Sequence, residues 1–170
     1  GTEVSVDAPP RALREQLIAG GFAWAASSYS ENGYVPGIGA DDTLALKRLF
    51  EEKFGKATRS YLVGASMGGD YAEDALRSAN PGEIDRIVFL AHGAYGPAPA
   101  LKVRELFIVA RNDLGPGDKP RLARIQAQYD AAPDPKELIV LDGDAHAQFL
   151  FETNQSERLT SEIIRFLTAP

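Results

Sequence analysis

Cysteine is absent from the 170-residue chain, which excludes disulfides, thiol nucleophiles and cysteine-ligated metal sites. Histidine is scarce, with His92 and His146 the only two, so any chemistry that needs an imidazole has few places to go. No apolar run approaches the ~20 residues of a membrane-spanning helix, and the N-terminus lacks a basic segment followed by an apolar one. The 18 Lys and Arg against 24 Asp and Glu leave a mild net charge of -6, and the cations are scattered. That pattern offers no electrostatic footprint for nucleic acid and no basic face for anionic lipid. A soluble protein with neither nucleic acid nor membrane as partner is the expectation. The compartment stays open, because a cysteine-free chain suits oxidising and reducing surroundings alike.

What is present is an alternation of short apolar runs and helical patterns, without internal repeats or a linker-like stretch. Strands are predicted over residues 22–28 (FAWAASS), 60–65 (SYLVGA), 84–91 (IDRIVFLA), 105–110 (ELFIVA) and 137–141 (ELIVL). Residues 2–6 (TEVSV) also alternate and read as a residual strand. Helices are predicted from Arg11, over residues 41–54 behind the acidic pair Asp41 and Asp42, over 67–78, over 120–129 with Asp118 as cap, and over 157–167. Strands that are apolar almost throughout, separated by helices, indicate a mostly parallel sheet of five to six strands with helices on both faces. Such sheets place ligands at the carboxyl ends of their strands, which is where the chemically suggestive residues fall.

Gly64-Ala65-Ser66-Met67-Gly68 fits G-x-S-x-G between an apolar strand and a helix. A turn that tight asks for glycine two residues before and after the serine, which it lifts clear of the sheet at a helix N-terminus. His146, in the loop after the last strand, stands where the base belongs in the chain order Ser, acid, His. His92 precedes every plausible acid, and a structural role fits it better. Asp113 directly follows ELFIVA and can reach the imidazole. Its competitor Asp118 suits a helix cap, and Asp142 and Asp144 suit a turn. The catalytic assignment is therefore Ser66 as nucleophile, His146 as base and Asp113 as orienting acid. No metal or organic cofactor is required.

Together these residues resemble the α/β-hydrolase superfamily from about Arg11 onward. The segment from Gly21 to Tyr34 is similar to esterase-like members related to feruloyl esterases and prolyl-oligopeptidase-type hydrolases. The resemblance implies a single minimal α/β-hydrolase domain over residues 1–170. It also implies cleavage of a small carboxylic ester through an acyl-enzyme. A serine peptidase-like hydrolase and a non-catalytic, truncated fragment are the alternatives.

Relatives of this kind carry earlier strands and a His-Gly-type loop that supplies half of the oxyanion hole. Here the Met67 backbone N–H supplies one donor, while Tyr29, Ser30 or the stretch Asp7-Ala8 are candidates for the other. A cap domain is not expected, since only a short connection joins Ala91 to Glu105, so the site should be open. Tyr34 and Tyr95 are candidate substrate-binding side chains. Phe149 and Phe151 read primarily as core residues. An exposed sheet edge makes a homodimer one way to satisfy it.

Overall fold

The computed structural model describes residues 10–31, 33, 35, 37–93 and 101–170. Its centre is a parallel sheet of β1 (Tyr61–Ala65), β2 (Arg86–Leu90), β3 (Arg104–Ala110) and β6 (Lys136–Leu141), in the order β1-β2-β3-β6. A small antiparallel ribbon, β4 (Leu114–Gly115) and β5 (Lys119–Pro120), follows β3. The helices are α1 (Arg11–Ala19), α2 (Ile38–Phe54), α3 (Met67–Ser78), α4 (Arg121–Ala131) and α5 (Ser156–Thr168). This is an α/β-hydrolase-type architecture, reduced to four strands in its main sheet where five to six are predicted.

The period-two pleat sorts the strand residues into two cores. Val88, Leu90, Leu106, Ile108 and Ala110 face α1 and α5, meeting Leu13, Leu17, Leu159, Ile163 and Phe166. Ile87, Phe89, Phe107 and Val109 face the other way, toward Ala72 of α3 and Ile125 of α4. Alternate residues thus enter different cores, which is why β2 and β3 read as unbroken apolar runs. Each fully buried Leu, Ile or Phe contributes about 1.5–3 kcal/mol.

Residues 22–28 do not form a ladder. Phe22, Trp24 and Ala26 are half-buried while Ala23 and Ala25 are exposed, so the alternation of a strand is present. Phe22 and Trp24 pack on the same core as Tyr61 and Val63, and the Phe22 and Tyr61 rings lie 5.9 Å apart. Between this run and β1 is a cavity of about 640 Å³, lined by residues that include Phe22, Trp24, Phe50, Tyr61 and Val63. Among the described residues β1 pairs only with β2. The predicted strand over residues 2–6 lies outside the described residues.

Asp118 does not cap α4. It is exposed, has a positive φ of 55° and belongs to a short 3-10 turn (Pro116–Asp118), while Pro120 occupies the cap position. No described helix is long and apolar enough to cross a membrane.

Candidate active site

Ser66 stands between β1 and α3 with φ 51° and ψ -124°, a conformation that costs about 1–3 kcal/mol for a residue with a Cβ. Two features hold it there. The Ser66 N–H donates to Leu90 O at 2.9 Å, adding a rung beyond the β1–β2 ladder. The glycines let α3 fold back over the strand. A Cβ on Gly64 would lie 2.4 Å from Gly68 O, and one on Gly69 would lie 2.4 Å from the His92 Cβ. Gly68, by contrast, has nothing within 4 Å of a built Cβ. The crowded positions are therefore 64 and 69, not 64 and 68 as the motif suggests.

The structure brings Ser66, His146 and Asp113 together. His146 Nε2 lies 2.8 Å from Ser66 Oγ, and Nδ1 lies 2.9 Å from Asp113 Oδ2. In the neutral ring that faces a serine hydroxyl, Nδ1–H donates to the carboxylate and Nε2 accepts from Oγ–H. Asp113 is 1% exposed and His146 33%, so the acid is sealed and the base opens toward solvent.

Three strand ends set this geometry. Asp113 follows β3 in a turn in which its N–H donates to Ala110 O at 3.2 Å. The loop carrying His146 follows β6 and is tied to β3 by Asn112 N–H to Gly143 O at 2.9 Å. Gln155 clamps the base of that loop through both backbone groups of Asp142, at 3.1 and 2.7 Å. Asp142 and Asp144 are exposed loop residues.

His92 is fully buried. Its ring stacks on Phe89 at 4.4 Å, and its Nε2 lies 2.5 Å from Gln128 Oε1. Burial pushes its pKa down to about 4, against the hydrogen bond to Gln128 and aided by the cations Arg121 and Arg124. It remains neutral beneath the serine turn.

Met67 opens α3, among the first-turn N–H groups that have no partner within a helix. Of the other candidate donors, Asp7-Ala8 lies outside the described residues, and the amides of Tyr29 and Ser30 are committed elsewhere. Tyr29 N–H donates to Ser27 Oγ at 3.0 Å, and Ser30 N–H donates to Asp42 Oδ2 at 2.6 Å. Neither amide is open to a substrate oxygen in this conformation. Tyr34 and Tyr95 lie outside the described residues. Phe151 packs on the core, whereas Phe149 is 50% exposed and is therefore not the core residue predicted.

Two contacts around the candidate site escape the motif. The Tyr71 hydroxyl accepts from Val35 N–H and donates to Gly33 O, both at 2.8 Å, anchoring the loop ahead of α2 to the serine helix. Arg121, nearly buried, places Nε 3.1 Å from Asp113 Oδ2. Nothing in the sequence around Tyr71 signals its role, and Arg121 reads as an ordinary cation at a helix start.

The described residues contain no group of three His, Asp or Glu side chains able to hold a metal ion. The cavity beside β1 reaches neither Ser66 nor His146.

No protein-family model and no curated protein matches the sequence. Solved structures do. A putative α/β hydrolase from Agrobacterium tumefaciens superposes with a TM-score of 0.67 at 14% identity, covering 98% of this chain and 82% of that one. An esterase from a Rhodococcus species gives 0.64 at 13% identity, over 94% of this chain and 86% of the other. Dienelactone hydrolase from Anabaena variabilis gives 0.60 at 21% identity, over 74% of this chain. The match covers only 56% of that larger enzyme. At these identities the likeness is one of fold, and the fold is that of the α/β hydrolases.

Proposed function

We propose that the chain is a serine hydrolase that cleaves carboxylic esters through an acyl-enzyme on Ser66. The observation that carries this reading is the unbroken series of contacts from Ser66 Oγ through His146 to Asp113, at 2.8 and 2.9 Å. Oγ attacks the ester carbonyl while Nε2 takes its proton. The imidazolium returns that proton to the departing alcohol, and water then releases the acid by the same route. Asp113 stabilises the imidazolium and fixes its tautomer without itself becoming protonated.

Three exposed apolar side chains support an apolar substrate. Met67 follows Ser66, Leu114 follows Asp113 and Phe149 lies three residues beyond His146, with exposures of 37%, 54% and 50%. Exposed apolar side chains so near the three site residues in sequence favour an apolar acyl or alkoxy group. With the Tyr29 and Ser30 amides already bonded, Met67 N–H is the donor that the described residues offer to the oxyanion. A site that lacks a second donor runs about 10²- to 10³-fold slower than one with two.

The test is hydrolysis of p-nitrophenyl butyrate by the wild type and by Ser66→Ala, with fluorophosphonate labelling to count reactive serines. Turnover and labelling that both vanish in the variant support the reading. A folded wild type that neither hydrolyses nor labels overturns it in favour of a non-catalytic fold.

A further inference from the structure

The triad reading, on which this inference rests, uses three side chains, and a fourth touches the last of them. Arg121 Nε lies 3.1 Å from Asp113 Oδ2, the same oxygen that faces His146 Nδ1 at 2.9 Å. The side chains of Arg121 and Asp113 are 8% and 1% exposed. Nε–H lacks the alignment of a hydrogen bond, so the contact is one of charge.

The backbone builds this contact deliberately. Arg121 N–H donates to Asp113 O at 2.9 Å. The β4–β5 ribbon folds the intervening loop back on itself, which returns α4 to the acid it left. Arg121 is the first residue of α4, so the positive end of the helix faces the same carboxylate.

A carboxylate this buried needs an opposite charge, and a neutral imidazole supplies none. We propose that Arg121 is a positioning residue for proton transfer. It neutralises Asp113 and pins Oδ2 beneath the ring, so that Nδ1 keeps its proton and Nε2 remains the acceptor facing Ser66. The triad is thus a tetrad in which the fourth member never meets substrate. The contact with Oδ2 is made by Arg121, whose charge, like that of Arg124, also reaches His92.

The test compares Arg121→Met and Arg121→Lys in the full chain. One readout is the far-downfield proton resonance of His146 Nδ1–H, with Asp113→Asn as the control that abolishes it. The other is kcat per fluorophosphonate-labelled serine, which removes any misfolded fraction. Arg121→Met should lose the resonance and about a hundredfold in kcat, with KM nearly unchanged, and Arg121→Lys should restore most of both. In the Asp113→Asn background the same Met substitution should cost less than about threefold, because coupled residues do not add. If Arg121→Met keeps the resonance, or costs the same factor in both backgrounds, the proposal is overturned. Absence of wild-type turnover would sink the esterase reading alone, since the resonance still decides the role of Arg121.

Discussion

His92 and His146 both follow the carboxyl end of a parallel strand, β2 and β6, yet the fold uses them in opposite ways. His146 is one-third exposed and bridges a hydroxyl and a buried carboxylate. His92 is sealed against Phe89 and Phe107, hydrogen-bonded to Gln128, and lies directly under Gly69. The ends of β3 repeat the contrast in carboxylates. Asp113, just past the carboxyl end, has an imidazole and a guanidinium beside it, while Glu105 at the other end is equally buried and its Oε1 has no hydrogen-bond partner. Position at a strand end therefore does not make a catalytic group. What sets the candidate triad apart is that its buried carboxylate has partners and its imidazole is left partly open to solvent.

The widest separation between the two histidines is expected in turnover. His146→Ala should lower kcat/KM about 10⁴- to 10⁶-fold while leaving the melting temperature nearly unchanged. His92→Ala should do the reverse, costing about 2–4 kcal/mol by opening a cavity in the core while kcat per labelled serine stays within about fivefold. Chemical denaturation paired with ester hydrolysis checks both.

The buried titratable groups sharpen the contrast through pH. His92, held at about 4 by burial, contributes stability that is complete above its unfolded value near 6.5 and is lost as pH falls toward 4. Glu105, raised to about 7 by burial and by Glu73 against the pull of Lys136, runs the other way, its protonated form being the stable one. Its contribution is complete below about 4.5 and is lost as pH climbs through 7. Each slope is worth about 3 kcal/mol, so across pH 4.5–6.5 the two oppose one another. Glu105→Gln should unmask the acid-side loss due to His92, seen as a steeper fall in unfolding free energy below pH 6.5. A Glu105→Gln curve that parallels the wild type would show that Glu105 does not titrate as described.

The smallest expected effects lie in the serine turn. Gly69→Ala should cost about 1–3 kcal/mol because its Cβ meets His92. Gly68→Ala should stay within about 0.5 kcal/mol. Equal losses would break the link drawn between His92 and the turn.

The architecture was legible wherever local pattern and tertiary packing agree. The helix predicted over residues 67–78 has those bounds, and the four ladder strands fall within a residue or two of their apolar runs. Chain order and strand ends were also enough to select Ser66, Asp113 and His146, which the fold then places in contact. The misses have physical causes. Residues 22–28 have the burial alternation of a strand, but a ladder needs a neighbour at hydrogen-bonding distance, and periodicity does not report one. Asp118 looked like a cap because Asp before Lys-Pro fits that pattern, yet the β4–β5 turn takes its backbone. Gly68 and Gly69 are indistinguishable in sequence, since what separates them is His92 arriving from another strand. Arg121 gains its role only when the ribbon carries α4 back to Asp113.

The position of Ser66 at the end of β1 has one more consequence. Ser66 follows β1 at one edge of the described sheet and His146 follows β6 at the other, with Asp113 following β3 between them. A slip of β1 by one residue along β2 would displace Ser66 by about 3.3 Å, more than the length of its hydrogen bond to His146. Under the proposed function, serine labelling is therefore a molecular ruler for the alignment of that edge strand. Any condition or ligand that loosens β1 should be read out first as a loss of labelling, before the rest of the sheet registers a change.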